Sequence, residues 1–139
     1  MNRKIAIDNV KSGGSTLVVF SENDCVSCSK RGVSPLLELY ESGKDFSEYQ
    51  AVDKVIGKAA AFMYILLRIR SVCGVTVSKS AVALLEKHGI DIEYEILADR
   101  IKNRTNTGFC PMESAVMDVV EEDEAYRVIK ETMKILKRS

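Results

Sequence analysis

Asp53-Lys-Val-Ile-Gly-Lys-Ala-Ala-Ala-Phe-Met-Tyr-Ile-Leu-Leu-Arg-Ile-Arg70 is the stretch on which the fold turns. Between Ile56 and Ile69, good helix formers carry apolar side chains on nearly every face. A helix of that kind is stable in water only when other elements cover it all round, so the stretch predicts a core helix. Its first residues differ. Asp53, Lys54, Gly57 and Lys58 gather where unpaired N–H groups and the positive end of the helix dipole attract anions. That end is the first candidate site.

Upstream, residues 46–52 read as a strand, and residues 35–42 as a short helix with Ser34 as N-cap, Pro35 in the first position and Gly43 as the stop. Residues 16–20 and 25–29 form a hairpin about Glu22-Asn-Asp24, after a short helix over residues 2–11 that ends at Ser12-Gly-Gly-Ser15. Downstream, residues 71–77 read as a strand. Ser78 then caps a helix over residues 79–88, with Ala81, Leu84, Leu85 and His88 on one face and Gly89 closing it in the left-handed region. Residues 90–97 alternate apolar and charged, as a strand with one solvated face does. A polar connection follows over residues 98–109, and residues 111–120 and 123–137 read as two more helices. The last turns Ala125, Ile129, Thr132, Met133 and Leu136 inward, with acids in its first turn and bases in its last. Strands alternating with helices predict one α/β domain over residues 1–139. It is a three-layer α/β/α sandwich with a five-stranded, mostly parallel mixed sheet.

Composition narrows the functions. A chain of 139 residues buries roughly 65–70% of its unfolded surface and needs no staples. Acids and bases balance at 20 each, so net charge recruits neither nucleic acid nor an anionic membrane. The longest apolar run, residues 59–67, is about half the ~20 residues of a membrane span, and the N-terminus lacks the apolar segment of a secretory signal. The expected location is the cytoplasm, where Cys25, Cys28, Cys73 and Cys110 remain thiols.

The order hairpin, short helix, strand, buried helix, strand, helix, strand resembles the cytidine deaminase fold. Within it, the chain is similar to a small prokaryotic domain family of unknown function on the segments Arg31-Gly-Val-Ser-Pro-Leu-Leu37, Asp53-Lys-Val-Ile-Gly-Lys-Ala-Ala-Ala61 and Gly108-Phe-Cys-Pro-Met-Glu-Ser-Ala-Val116. The resemblance covers roughly residues 17–120. It implies the deaminase-like architecture without the deaminase chemistry. Zinc deaminases hold their metal with H-x-E or C-x-E at one helix start and P-C-x-x-C at the next. The corresponding starts here carry Gly57-Lys58-Ala59 and Val77-Ser78-Lys79-Ser80-Ala81, and neither contains a ligand. His88, the sole histidine, falls about three turns, or ~15 Å, beyond its helix's start.

Individual residues carry the remaining expectations. Lys58 in the first turn of a helix adds charge to a positive dipole end, at a cost of roughly 0.3–1 kcal/mol. Gly57 is costly inside a helix but lets a ligand approach the backbone. A bound phosphate or carboxylate satisfies both, with Ser78 and Ser80 at the neighbouring helix start and Arg100, Lys102 and Arg104 in the polar loop as further donors. Against this, Lys58 pairs with Asp53 or another acid, the serines are simple caps, and the loop is merely solvated. The glycine spacing is not that of a phosphate-binding P-loop. Cys110 precedes Pro111 and so reads as an N-cap, where the dipole favours thiolate. Glu113, three residues on, stands where a capping-box acid reaches back. If the chain has chemistry, Cys110 is the nucleophile and Glu113 or Lys58 assists; the same residues also read as a helix start and nothing more. Cys25 and Cys28 have metal or dithiol spacing, but on a strand they point to opposite faces about 10 Å apart. Cys73 reads as packing.

The leading expectation is a domain that binds a small anionic molecule, a nucleotide or related metabolite, with no cofactor, metal, nucleic acid or membrane; a homodimer is compatible with it. The alternatives are a non-enzymatic interaction module using Tyr40, Tyr49 or the C-terminal helix, and a thiol redox or metal accessory. A concave pocket with a perturbed Lys58 or Cys110 favours an enzyme, whereas an exposed apolar patch and a filled pocket favour the module.

Overall fold

The computed structural model describes residues 1–30, 32–101 and 110–138. The elements run α1 (Arg3–Lys11), β1 (Leu17–Phe20), β2 (Cys25–Cys28), α2 (Ser34–Glu41), β3 (Gln50–Ile56), α3 (Lys58–Leu67), β4 (Ser71–Ser78), α4 (Lys79–Lys87), β5 (Asp91–Ala98), α5 (Pro111–Ala115) and α6 (Glu122–Arg138). The strands form a mixed sheet in the order β2-β1-β3-β4-β5. Strand β1 is antiparallel to both β2 and β3, while β3, β4 and β5 are mutually parallel. Parallel neighbours require crossovers, and α3 and α4 supply them. No described helix is long and apolar enough to cross a membrane.

Helix α3 is the core helix that its composition demands. Ala59 through Tyr64 and Leu67 are buried, and each of the larger side chains contributes roughly 1.5–3 kcal/mol by leaving water. Sheet residues Leu17, Val19, Ala51 and Val72 cover one side of it, and Leu36, Leu85 and Ile129 from α2, α4 and α6 cover the others. Arg68 ends the helix in the left-handed region at φ 56, and Ile69 N–H returns to the Tyr64 carbonyl. On the opposite face of the sheet α1 is the one helix among the described residues, with Ala6 and Val10 packed on Val18, Phe20 and Val52.

Several elements depart from the sequence reading, α6 among them, since Leu136, read as turned inward, is 40% exposed. Strand β3 covers 50–56 instead of 46–52 because its side-chain alternation changes midway: Val52 packs under α1, yet Ile56, four residues on, packs in the main core. Strand β4 changes in step, since a Cβ on Gly74 would overlap both Val77 and Ile56. This places Asp53 and Lys54 in the sheet and not in the helix. Helix α2 is capped by Val33 rather than Ser34. Helix α5 stops at Ala115, ahead of the β-branched Val116, Val119 and Val120, which disfavour helix. Strand β5 is an edge strand that leaves both of its faces largely exposed, not one.

Candidate functional site

Strands β3 and β4 end side by side, so α3 and α4 begin side by side. Beyond the carboxyl ends of strands in an open parallel sheet is where such folds gather ligands. Here a cavity of about 230 Å³ is lined by Lys58, Ser78, Ser80, Asp99, Arg100, Ile101, Glu113, Ser114 and Met117.

The anion expected at the start of α3 is present within the chain itself. Glu113 leaves α5 and lays its carboxylate on the helix start, where one oxygen accepts from Lys58 N–H and the other from Ala59 N–H at 2.9 Å. Two of the orphan donors of α3 are thereby satisfied by one side chain 54 residues away. Gly57, the N-cap in extended backbone, permits it: a Cβ there would overlap the Glu113 carboxylate. Glycine is needed for close approach, as expected, but the approaching group is Glu113. The glutamate does not reach back toward its own helix start, where Cys110 N–H donates to the Ile101 carbonyl at 3.2 Å. Burial pushes the Glu113 carboxyl up, while the two amides and the Lys58 charge pull it down by less.

Lys58 itself turns away from the dipole. Its ammonium donates to the Met117 carbonyl at 2.7 Å and stands 5.7 Å from the Phe62 ring centroid. Among the described residues no carboxylate forms an ion pair with it. Across the cavity Ser78 is the N-cap of α4, accepting from Ala81 N–H at 3.2 Å, and its hydroxyl lies 3.2 Å from that of Ser80. Asp99 is paired with Lys79 at 2.7 Å.

The structure separates the other candidates from this cluster. Asp53, on β3, accepts from the Tyr64 hydroxyl at 2.6 Å rather than meeting Lys58. Burial pushes its carboxyl up to about 7, against the opposing pull of Tyr64 and the Val55 and Lys54 amides. Lys54 is exposed on the strand and is not a cavity residue. Cys110 caps the five-residue α5 without a side-chain hydrogen bond and packs against the main core, off the cavity lining. Lys102 and Arg104 lie outside the described residues. Cys25 is exposed and Cys28 is partly buried against the core, as opposite faces of a strand require. Tyr49 is buried with its hydroxyl donating to Asp24 at 2.6 Å, and Tyr40 meets Tyr126 edge-on at 5.1 Å, so both tyrosines are committed within the fold. Met117 and Asp99 are site residues that the sequence reading missed, and Met117, which contributes a backbone carbonyl, leaves no side-chain signal to find.

The crystal structure of a DUF1893 family protein, TM1506, from Thermotoga maritima superposes with a TM-score of 0.85 at 19% identity, covering 94% of this chain and 91% of that one. No curated protein matches. The family model described as "TM1506: Domain of unknown function (DUF1893)" matches residues 5–133. With nearly its whole length so matched, the chain belongs to the DUF1893 family.

Proposed function

We propose that the chain is a deaminase-like domain without zinc chemistry that binds a small anionic molecule in the cavity between the starts of α3 and α4. The observation that carries this reading is the charge balance of the lining. Glu113 is spent on two amides of α3 and Asp99 on Lys79, whereas the Lys58 ammonium donates to a neutral carbonyl and forms no ion pair among the described residues. The Ser78 and Ser80 hydroxyls add neutral donors to the same lining. A volume of about 230 Å³ is below the usual range for drug-sized ligands, so the cavity takes a phosphate or small organic acid whole and a nucleotide only in part.

The deaminase-like reading is supported by the sheet order and by two helix starts meeting beyond parallel strands. The residues there do not fit zinc: Gly57, Lys58, Ser78 and Ser80 offer neither thiolate nor imidazole, and no group of three ligands occurs among the described residues. No step is assigned to Cys110.

The test is titration calorimetry at low salt with inorganic phosphate and with a nucleoside 5′-monophosphate. Saturable binding is expected, weakened at least about tenfold by Lys58→Met, which removes about 1.4 kcal/mol or more. Binding that Lys58→Met and Ser80→Ala leave unchanged, or its absence from the wild type at millimolar ligand, contradicts the reading. A second reading, the interaction module, is favoured by a different observation, the exposed apolar row on β5.

A further inference from the structure

The two edges of the sheet are not alike. Strand β2 is short, with four residues, whereas β5 has eight and contains neither proline nor lysine, two of the devices that blunt an edge. Its outer side meets no strand among the described residues. Tyr94, Ile96 and Leu97 are 42%, 55% and 42% exposed. The segment Ile92-Glu93-Tyr94-Glu95-Ile96 reads the same in both directions.

We propose that β5 pairs antiparallel with the β5 of a second copy about a two-fold axis at Tyr94, joining two sheets into one. A two-fold axis through an antiparallel pair sets each residue against its mirror position. Tyr94 then meets its own copy, Ile92 meets Ile96, and Glu93 meets Glu95. A palindrome centred on Tyr94 is the sequence that makes all of these pairs like with like.

The one cost of self-pairing is that it sets glutamate against glutamate, and the chain carries cations that offset it. Like charges directly across a strand pair are destabilising. In this chain α1 already reaches over to both of them, with Arg3 at 3.0 Å from Glu93 and Lys11 at 2.6 Å from Glu95. Pairing therefore sets the Arg3–Glu93 pair of one copy beside the Lys11–Glu95 pair of the other, a row in which acids and bases balance.

The test is light scattering on the size-exclusion peak of the full chain. The wild type is expected at twice 15.4 kDa, and Tyr94→Asp, which stacks carboxylates at the axis, at 15.4 kDa with unchanged far-ultraviolet circular dichroism. Ile96→Lys is expected to do the same, and Ile135→Asp, on exposed α6, to leave the dimer intact. A wild-type monomer across the micromolar range overturns the proposal and leaves the edge to another protein's strand. A dimer that survives both β5 substitutions, or dissociates on Ile135→Asp, overturns it in favour of another surface.

Discussion

Asp53 brings an acid into the sheet with a tyrosine hydroxyl as its side-chain partner, and the consequence is a pH dependence of known sign. Its folded carboxyl is pushed up from 3.8 to about 7, so the folded protein holds a proton that the unfolded chain releases near pH 4. The stability this confers is complete below the unfolded value and is lost as pH rises through 7, at up to about 1.4 kcal/mol per pH unit. Urea denaturation at pH 5 and pH 8 is expected to show the wild type less stable at pH 8, and Asp53→Asn, which still accepts from Tyr64, to lose most of that difference. The Gly57–Glu113 contact gives a second prediction. A methyl group at Gly57 displaces the flexible end of Glu113, so Gly57→Ala and Glu113→Ala each forfeit the same two hydrogen bonds, roughly 1–3 kcal/mol. Because the loss is shared, the double variant is expected to cost about as much as either single one, in the same denaturation experiment. Additive losses would show that Gly57 serves something other than Glu113.

At the scale of elements, what the sequence revealed depended on whether local pattern and final environment agreed. Helix α3 was legible because all-round apolarity demands cover on every side, and α4 because Ser78 and Gly89 are punctuation with a physical mechanism. Strand β3 was misplaced for the opposite reason. The change of face between Val52 and Ile56 removes the period of two, and Asp53-Lys54 then imitates a helix start. The alternation of β5 was read correctly as a strand but wrongly as half-covered, since nothing in a strand's own residues says which neighbours arrive. Helix α6 lies on α3 through Ala125 and Ile129, and its Lys130 and Tyr126 hold Glu41 of α2 at 2.7 Å each. Those surface contacts are worth little individually. Ile129→Ala is therefore expected to destabilise by about 2–5 kcal/mol in thermal or chemical unfolding, and Lys130→Met to have a far smaller effect.

Across the whole molecule, the candidate site was half legible. Lys58, Ser78 and Ser80 meet at one place because the crossovers of a parallel sheet bring successive helix starts together, and topology of that kind follows from element order alone. The partner of the α3 start was not legible, because Glu113 arrives from a segment whose own local pattern offers it a different task as a capping-box acid. A helix start that attracts anions is thus closed from inside, and the proposed recognition falls one step outward, on the Lys58 ammonium and the serine hydroxyls. A crystal structure of the protein grown with a nucleoside 5′-monophosphate tests this most directly. The account predicts phosphate density against Lys58 Nζ and Ser80 Oγ with Glu113 still on the α3 amides; a phosphate seated on those amides with Glu113 displaced, or an empty cavity at saturating nucleotide, would contradict it.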